Sequence, residues 1–356
     1  MKAARIPRFG PPTVFSIDDI PTPIPGPHDA LVRIKACGVN RMDTELRAGV
    51  YGGEPLASFF FGESIRLPHL PGIEPAGIIE AVGTAVSHFK PGDFVVPHSH
   101  LSCGLCEHCL GGADNACAAI QVLGVQTPGQ GGYAEFMVWP ASHLISFGDP
   151  LSFESAAALL VNYGPVWHGL VDRAGLTRGE TLVVTGAAGG CGHAALDIAR
   201  HLGATTIAIT RSTGKSEALR SAGADHVVID SGTGDWADDV IELTDGRGAD
   251  CVLELVGAAT WSQSIHAAAS RGRVVVIGSH SGMNVTLNLG AVFSKNLSLA
   301  GVTRASRGAM EKVVRNAEAG RLHPSVGHSF TLDRVSEAHQ LMDTDQHTGK
   351  IVLTMG

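Results

Sequence analysis

The 356-residue chain has few charged side chains, few aromatic side chains and no long apolar run. Charged residues make up 17% and aromatic residues 5%, whereas 44% are hydrophobic, a composition that supports packed cores and not disorder. No run approaches the roughly 18 apolar residues of a transmembrane helix. The net charge of −8 disfavours nucleic acid as a partner, because a phosphate backbone needs a basic surface. We therefore expect a globular chain of about two domains with neither membrane nor nucleic acid as a partner.

The chain also lacks the features of a secreted protein. The segment Met1–Pro12 carries basic residues but no apolar core behind them, so it does not resemble a secretory signal. Three of the seven cysteines (Cys37, Cys191 and Cys251) stand alone, and the other four are clustered. An odd count with one cluster is typical of a metal site in a reducing compartment, which predicts a cytoplasmic protein without a disulfide framework.

The second half of the chain alternates short apolar strands with helices. Strands of this length that alternate with helices predict a parallel sheet covered on both faces, and six of them suit a doubly wound dinucleotide-binding fold. The predicted strands are Thr181–Thr185, Thr205–Thr210, His226–Asp230, Cys251–Val256, Arg273–Ile277 and Leu297–Val302.

The first half is rich in proline and glycine and contains shorter strands between turns. Ala30–Ala36, Gly77–Val82 and Asp93–Val96 are examples, and they predict a β-rich or barrel-like domain. The last strand, Lys350–Thr354, is expected to return to this domain. The predicted boundaries are 1–155 for the β-rich domain with a cysteine lobe at about 98–120, 156–302 for the dinucleotide domain, and 303–356 for the return.

A glycine-rich turn joins the first strand of the second half to a helix. Glycine at 189 lets the backbone approach a pyrophosphate, and Gly192 lets the helix pack closely on the strand. The helix N-terminus adds unpaired N–H groups and a positive dipole end. Ala187 stands at the first glycine position of the usual pattern. The residues expected to bind the dinucleotide are Gly186, Gly189, Gly190, Cys191 and Gly192.

The loop after the next strand bears on the choice of dinucleotide. An NAD site usually places Asp or Glu there to hold the ribose 2′-hydroxyl, and this chain has none. Arg211 and Lys215 could instead neutralise a 2′-phosphate, with Ser212 as a hydrogen-bond donor. The alternative interpretation is a solvated basic turn. We favour NADP(H) over NAD.

Four cysteines lie close together with intervening glycines that permit tight turns. Four thiolates can close a tetrahedral zinc site with no open position, which predicts one structural zinc. The spacing alone also permits an iron–sulfur cluster, which we rank below zinc. We interpret the nearby His98 and His100 as loop residues and not as ligands. The predicted zinc ligands are Cys103, Cys106, Cys109 and Cys117.

Together these features resemble the medium-chain dehydrogenase/reductase superfamily over essentially the whole chain. The resemblance rests on the cysteine lobe, the glycine turn and three further motifs: Ala36-Cys37-Gly38-Val39, Pro71–Gly77 and Gly349–Leu353. It implies a GroES-like catalytic domain and a Rossmann domain, hydride transfer, and a homodimer or homotetramer.

The resemblance breaks at the catalytic zinc of the alcohol dehydrogenase branch. Its Cys, His and Cys ligands correspond to Asn40, Ile73 and Val161, which cannot ligate such a metal. A divergent metal site built from Asp43 and Glu74 is the less favoured alternative.

The branch that the sequence resembles is the zinc-free quinone oxidoreductase-like one, in a subgroup that keeps the cysteine lobe. The resemblance places Asn40, Asp43 and Tyr51 at the active site, with Asn40 and Tyr51 as hydrogen-bond donors to a developing oxyanion and Tyr51 as a proton donor. The predicted reaction is hydride transfer from NADPH to a quinone or an α,β-unsaturated carbonyl. By position, further cofactor contacts are Asn162, Val256, Gly257, Gly278, Ser279 and Lys350.

Two rival functions remain open at this stage. One is an NAD(P)-dependent alcohol or aldehyde dehydrogenase of the same fold, and the other is a non-catalytic NADPH-binding module. The aromatic run Phe59–Phe61 could line an apolar substrate pocket or pack against a neighbouring domain or second subunit.

Overall fold

A computed structural model describes residues 1–58, 65–232 and 235–356, so Phe59–Phe61 lies outside the described residues. The chain forms two compact units. Unit 1 comprises Met1–Val161 and Ser306–Gly356, and unit 2 comprises Asn162–Ala305. Across the described ranges, no helix has both the length and the apolar character needed to cross a membrane.

Strands and helices are numbered here in chain order over the described residues. The strands are β1 (Lys2–Arg5), β2 (Ser16–Asp19), β3 (Asp29–Val39), β4 (Val50–Tyr51), β5 (Glu54–Pro55), β6 (Glu74–Val82), β7 (Phe94–Pro97), β8 (His100–Leu101), β9 (Gln121–Val122), β10 (Phe136–Pro140), β11 (Leu144–Phe147), β12 (Thr181–Val184), β13 (Thr205–Thr210), β14 (His226–Ile229), β15 (Ala249–Glu254), β16 (Ala268–Val276), β17 (Ser298–Gly301), β18 (Val326–Thr331) and β19 (Lys350–Thr354). The α-helices are α1 (Arg41–Ala48), α2 (Glu107–Leu110), α3 (Phe153–Ala156), α4 (Gly164–Trp167), α5 (Gly190–Leu202), α6 (Ser216–Ser221), α7 (Trp236–Leu243), α8 (Trp261–Ala267), α9 (Leu289–Ser294), α10 (Arg307–Glu318) and α11 (Val335–Asp343).

Unit 1 is built on a mixed, mostly antiparallel sheet with the strand order β11-β7-β6-β3-β19-β18, and β10 also pairs with β3. The long strand β3 is central, and its apolar side chains pack with Tyr133, Trp139 and Leu353 in one buried core. The last strand, β19, runs antiparallel to β3 with Ile351 opposite Val39. This register brings Lys350 beside the end of β3, where Asn40 begins the next turn.

Unit 2 contains the predicted parallel sheet, with the strand order β14-β13-β12-β15-β16-β17. The first strand along the chain lies in the middle, and the order reverses between β12 and β15, which is the arrangement of a doubly wound dinucleotide-binding fold. This confirms the predicted fold class. Strand β16 begins at Ala268 and not near Arg273, because Ala268 pairs with Ala249 despite its weak strand propensity.

Candidate active site and cofactor sites

The glycine-rich turn has the conformation that its sequence predicts. Gly186 has φ +60°, and Gly189 is the N-cap of α5. A Cβ on Gly192 would lie 2.2 Å from the carbonyl oxygen of Ala187, so only glycine lets the helix start this close to the strand. A Cβ on Gly189 would meet only the Gly186 oxygen, at 3.7 Å. Internal packing therefore does not demand glycine at 189, whereas the close approach of a pyrophosphate would. The turn fits a dinucleotide.

Asn162 lies against the same turn. A Cβ on Gly190 would approach the Asn162 side-chain amide to 2.7 Å, and the Cys191 Sγ lies 3.6 Å from Asn162 Oδ1. Asn162 is buried. The structure thus brings together three of the predicted cofactor residues, with the amide acting as a support behind the turn.

Glu254, which the sequence reasoning missed, connects the predicted cofactor segments of unit 2. Its buried Oε1 accepts hydrogen bonds from the N–H groups of Val256 (2.7 Å) and Gly257 (2.9 Å) and from the Thr185 hydroxyl (3.0 Å). Its backbone oxygen accepts from the Gly278 N–H at 3.3 Å. Thr185 precedes the glycine turn. The Glu254 residue therefore connects that turn to the two other segments predicted to contact the cofactor, one at Val256 and Gly257 and one at Gly278. The signal in the sequence was an acid at the end of an apolar strand, just before Leu255-Val256-Gly257.

Neutral donors hold this carboxylate. The Thr260 hydroxyl donates to both oxygens, at 2.8 and 2.9 Å, and the Ser264 hydroxyl donates to Oε2. Among the described residues, no cationic side chain lies within ion-pair distance of Glu254. Loss of the carboxylate would leave buried N–H groups without an acceptor.

The predicted 2′-phosphate loop follows β13 directly. Arg211 is exposed, Ser212 and Lys215 are half-buried, and the Ser212 N–H donates to the Thr210 hydroxyl at 3.3 Å. A short 3-10 turn, Thr213–Lys215, carries the loop into α6. Both cations thus stand within one turn at the carboxyl end of β13, where a ribose-binding acid would otherwise lie.

The four cysteines of the lobe come together as predicted. The Cys106 and Cys109 Sγ atoms are 3.5 Å apart and those of Cys103 and Cys109 are 3.9 Å apart, and all four sulfurs lie within 4.8 Å of one another. Two thiolates on one tetrahedral zinc, at about 2.3 Å each, would be about 3.8 Å apart. Backbone N–H groups of Leu105 and Cys106 lower the pKa of Cys103 to about 6, which favours the thiolate that a metal binds. The donor set fits zinc.

Asn40 and Asp43 form the start of α1. Asn40 is the N-cap, and its backbone N–H donates to Asp43 Oδ2 at 2.9 Å. Asp43 is completely buried, and burial raises the pKa of its carboxyl to about 7, against the opposing effects of the Asn40 N–H and Lys350. Asp43 therefore serves a helix terminus in this structure.

Lys350, Glu74 and Asn40 form a buried polar triad. The Lys350 ammonium lies 2.5 Å from Asn40 Oδ1 and pairs with Glu74 Oε2, and the Asn40 amide donates to the same Glu74 oxygen at 3.1 Å. The side chain of Lys350 is 3% exposed and that of Glu74 is fully buried. A Cβ on Gly38 would lie 2.5 Å from Lys350 Cε and 2.6 Å from Glu74 Oε2, so glycine at 38 makes room for the pair. Lys350, expected to contact cofactor phosphates, is thus engaged inside unit 1.

The triad alters what Asn40 can do. Its amide also points at the Gly38 carbonyl, at 3.4 Å, so its N–H groups are directed at protein oxygens. In this arrangement Asn40 orients Lys350 and does not offer a hydrogen to a substrate. The second Glu74 oxygen, Oε1, accepts from the Val161 N–H at 2.8 Å.

The other two positions of the missing zinc ligands lie in one apolar cluster. Ile73 is buried there with Leu46, Leu56 and Val125, and Val161 packs against them. Tyr51 borders the same cluster. The two positions therefore come together, as zinc ligands would, but hydrocarbon replaces the sulfur and imidazole donors.

Comparisons with known proteins agree with this architecture. Residues 26–149 match the alcohol dehydrogenase GroES-like domain, and residues 190–319 match the zinc-binding dehydrogenase family. A quinone oxidoreductase of Homo sapiens is 30% identical over 363 residues, which cover 100% of this chain and 98% of that protein. The chain belongs to the medium-chain dehydrogenase/reductase superfamily.

Two further relatives carry a different activity in their names. An NAD-dependent alcohol dehydrogenase of Sulfurisphaera tokodaii is 30% identical over 355 residues, or 99% of each chain. A crystal structure of an NAD-dependent alcohol dehydrogenase superposes with a TM-score of 0.92 at 37% identity and covers 100% of both chains. The quinone oxidoreductase and the alcohol dehydrogenases are all oxidoreductases, and this chain is also an oxidoreductase.

Proposed function

We propose that this protein is an NADPH-dependent reductase that transfers hydride to a quinone or an α,β-unsaturated carbonyl without a catalytic metal. The observation that carries the proposal is the replacement of the zinc-ligand positions by the Asn40 amide and the apolar pair Ile73 and Val161. Such an environment offers no soft or imidazole donors to a metal. An alcohol must lose its hydroxyl proton as the hydride leaves, a step that zinc assists by acidifying the hydroxyl, whereas an enone or quinone needs only stabilisation of a developing oxyanion.

The electron balance of the step is simple. When bound, NADPH supplies the hydride. For an enone, a C–H bond forms at the β-carbon as the C=C π bond breaks, and the electron pair moves to the carbonyl oxygen. A proton then adds at the α-carbon, so the alkene is reduced while the nicotinamide is oxidised. For a quinone, the ring is reduced to the hydroquinone after protonation.

Unit 1 supplies the groups that would stabilise the oxyanion. Among the described residues, Glu74 and Asn40 engage two of the three N–H bonds of the Lys350 ammonium, and in this proposal the third donates to a substrate oxygen. Tyr51, beside the apolar cluster, is the proposed proton donor. Asn40 and Glu74 then act as positioning residues, and Asp43 fixes the start of α1 at Asn40. A metal held by Asp43 and Glu74 fits poorly, because both carboxylates already serve protein donors.

The cofactor preference rests on unit 2. Arg211, Ser212 and Lys215 stand where a 2′-phosphate would lie, and no carboxylate follows β13 in that loop. Gly186–Gly192 and the loops held by Glu254 would bind the rest of the dinucleotide. We propose NADP(H), with a single structural zinc at the four cysteines.

An alcohol or aldehyde dehydrogenase is the second candidate, because relatives named as alcohol dehydrogenases are as similar as the quinone oxidoreductases. A screen of NADPH and NADH oxidation over quinones, enones and aldehydes, with alcohol oxidation in the reverse direction, separates the two. We expect turnover of quinones or enones with NADPH, unchanged after dialysis against EDTA. Alcohol oxidation that is lost on dialysis and restored by zinc would contradict the proposal, and NADPH binding without turnover would favour a binding module.

We also propose a cytoplasmic homodimer or homotetramer. The edge strand β17 and the preceding helix α9 carry exposed apolar side chains, among them Leu289 at 67% and Phe293 at 74% exposure. A patch of this kind on a sheet edge suits a second copy of the chain. Phe293→Asp should lower the oligomeric mass in sedimentation, whereas Leu110→Asp, a similarly exposed residue on the lobe, should not.

A further inference from the structure

Three side chains that do not belong to the four-cysteine site, His98, His100 and Asp114, lie close together in the lobe. His98 and His100, expected as loop residues, are 1% and 0% exposed. Their Nε2 atoms lie 3.0 and 3.4 Å from the same oxygen, Asp114 Oδ2. The two imidazole rings are 4.1 Å apart, and the potential ligand atoms of all three residues lie within 4.8 Å of one another.

Hydrogen bonds with other segments of the chain hold each of these residues in place. His98 follows β7, and its N–H donates to the His143 carbonyl at 2.6 Å. His100 begins β8 and pairs with Val122 on β9. Asp114 lies in the turn after α2, and its other oxygen, Oδ1, accepts from the Arg307 N–H at 2.9 Å, at the start of α10. Two segments, residues 98–100 and the turn at Asp114, therefore present their donors to one point, and the Arg307 N–H orients the carboxylate through its other oxygen, as outer hydrogen bonds do in metal sites.

The spacing matches coordination to a single metal ion. Ligand atoms at about 2.0–2.1 Å from a tetrahedral zinc are about 3.3 Å apart, and the observed separations are 3.0 and 3.4 Å. The sulfur–sulfur distances of the four cysteines also match those around a tetrahedral zinc. We propose that His98, His100 and Asp114 form a second metal site, free of thiols, for zinc or a similar divalent ion.

The donor chemistry sets the character of this site. Two imidazoles and one carboxylate suit borderline divalent ions. The Asp114 side chain is 13% exposed, which gives water access to a fourth position. The Arg307 N–H already occupies the other Asp114 oxygen at 2.9 Å, so the carboxylate offers a metal one oxygen. We therefore expect weaker binding here than at the four thiolates.

The competing arrangement is a hydrogen-bonded cluster without metal. In it, both imidazoles donate to Asp114 Oδ2, and these bonds keep the pKa of the Asp114 carboxyl well below its usual range. The two arrangements differ in the number and the type of metal ions per chain, which can be measured directly.

Cobalt(II) substitution of the intact protein distinguishes the two sites. Cobalt at the four cysteines has a thiolate-to-metal charge-transfer band, whereas cobalt at two histidines and a carboxylate has only weak ligand-field bands. We expect wild-type protein to bind two ions per chain, only one with the thiolate band. The weaker ion should leave first as a chelator is titrated, a measurement that needs no variant.

Variants assign the second ion to its ligands. His100→Gln and Asp114→Asn should weaken its binding by more than about 100-fold, since removing a ligand should exceed the 10–100-fold loss seen for outer partners. His108→Gln, an exposed histidine of the same lobe, is the matched control and should keep both ions. Cys109→Ser should lose only the thiolate-bound ion. Circular dichroism confirms that each variant is folded.

Two results would overturn the site: one ion per chain in the wild type, or a second ion that persists in both His100→Gln and Asp114→Asn. Quinone and enone turnover is measured on the same samples. Loss of the second ion with unchanged turnover leaves the metal-free hydride transfer standing. Loss of turnover in parallel with the second ion would contradict the metal-free function while supporting the site.

Discussion

Two regions of unit 1 differ in whether their side chains suit a metal ion. The lobe gathers Cys103, Cys106, Cys109 and Cys117 with the sulfur spacing of a zinc site. The triad of Lys350, Glu74 and Asn40 includes the predicted active-site residue Asn40 and holds a buried ammonium. Under the proposed function, the positive charge that stabilises the oxyanion comes from a side chain, whereas the metal at the four cysteines has a structural role.

The largest effect is expected from Lys350→Met. Loss of the proposed oxyanion donor should reduce kcat by about 10²–10³-fold. Glu74 would also remain buried without its partner, which should cost about 3–5 kcal/mol of unfolding free energy. Steady-state kinetics and denaturant unfolding measure the two quantities.

A double variant separates catalysis from stability at this site. Lys350→Met combined with Glu74→Gln removes the unpaired charge, so stability should recover while kcat stays low. Lys350→Arg should retain part of the turnover, and Lys35→Met, on the neighbouring strand β3 and half-buried, should behave as wild type. A Lys350→Met enzyme with full kcat would contradict the proposed role of Lys350 as the oxyanion donor.

The next effect concerns the choice of cofactor. Arg211→Ala with Lys215→Ala should reduce the preference for NADPH over NADH by about 10–100-fold, because each charge-assisted hydrogen bond to a phosphate contributes about 1.5–3 kcal/mol. The measurement is the ratio of kcat/KM for the two cofactors. Arg220→Ala, on the following helix α6, is the control. An unchanged ratio would mean that Arg211 and Lys215 do not contact the 2′-phosphate.

A smaller effect is expected at Glu254. Glu254→Ala should raise the KM for NADPH about tenfold, since the Val256 and Gly257 N–H groups lose their acceptor. Glu254→Gln should recover most of this, because its amide oxygen can still accept from both. Asp225→Ala is the matched control: it removes the acceptor of the Thr206 N–H at the opposite end of the same sheet, away from the cofactor loops. An equal rise in KM for that variant would reduce Glu254 to a general stabilising residue.

The sequence predicted what depends on local pattern. Strand β13 has the predicted bounds, and Gly203 ends α5 with φ +78°, a left-handed conformation that favours glycine. The alternation of strands and helices predicted the parallel sheet. The cysteine cluster was visible because its ligands lie close together along the chain.

The sequence did not predict what depends on pairing between distant segments. Lys350 meets Asn40 only because β19 pairs with β3 across 310 residues of sequence. Glu254 reads as an ordinary polar residue until the sheet places it beside Thr185 and Gly278. His98 and His100 looked like loop residues because Asp114, which joins them, lies beyond three of the cysteines.

The smallest effect on catalysis should come from the lobe itself. Cys109→Ser breaks the four-thiolate set, so the protein should lose its thiolate-bound metal and become sensitive to proteolysis between residues 103 and 112. The kcat of the folded fraction should change by less than about twofold, since a closed site contributes nothing to hydride transfer. Metal content, limited proteolysis and kcat on one sample test this together. A large fall in kcat, with Cys251→Ser unaffected as the buried control, would mean that the lobe and the chemistry are not separate after all.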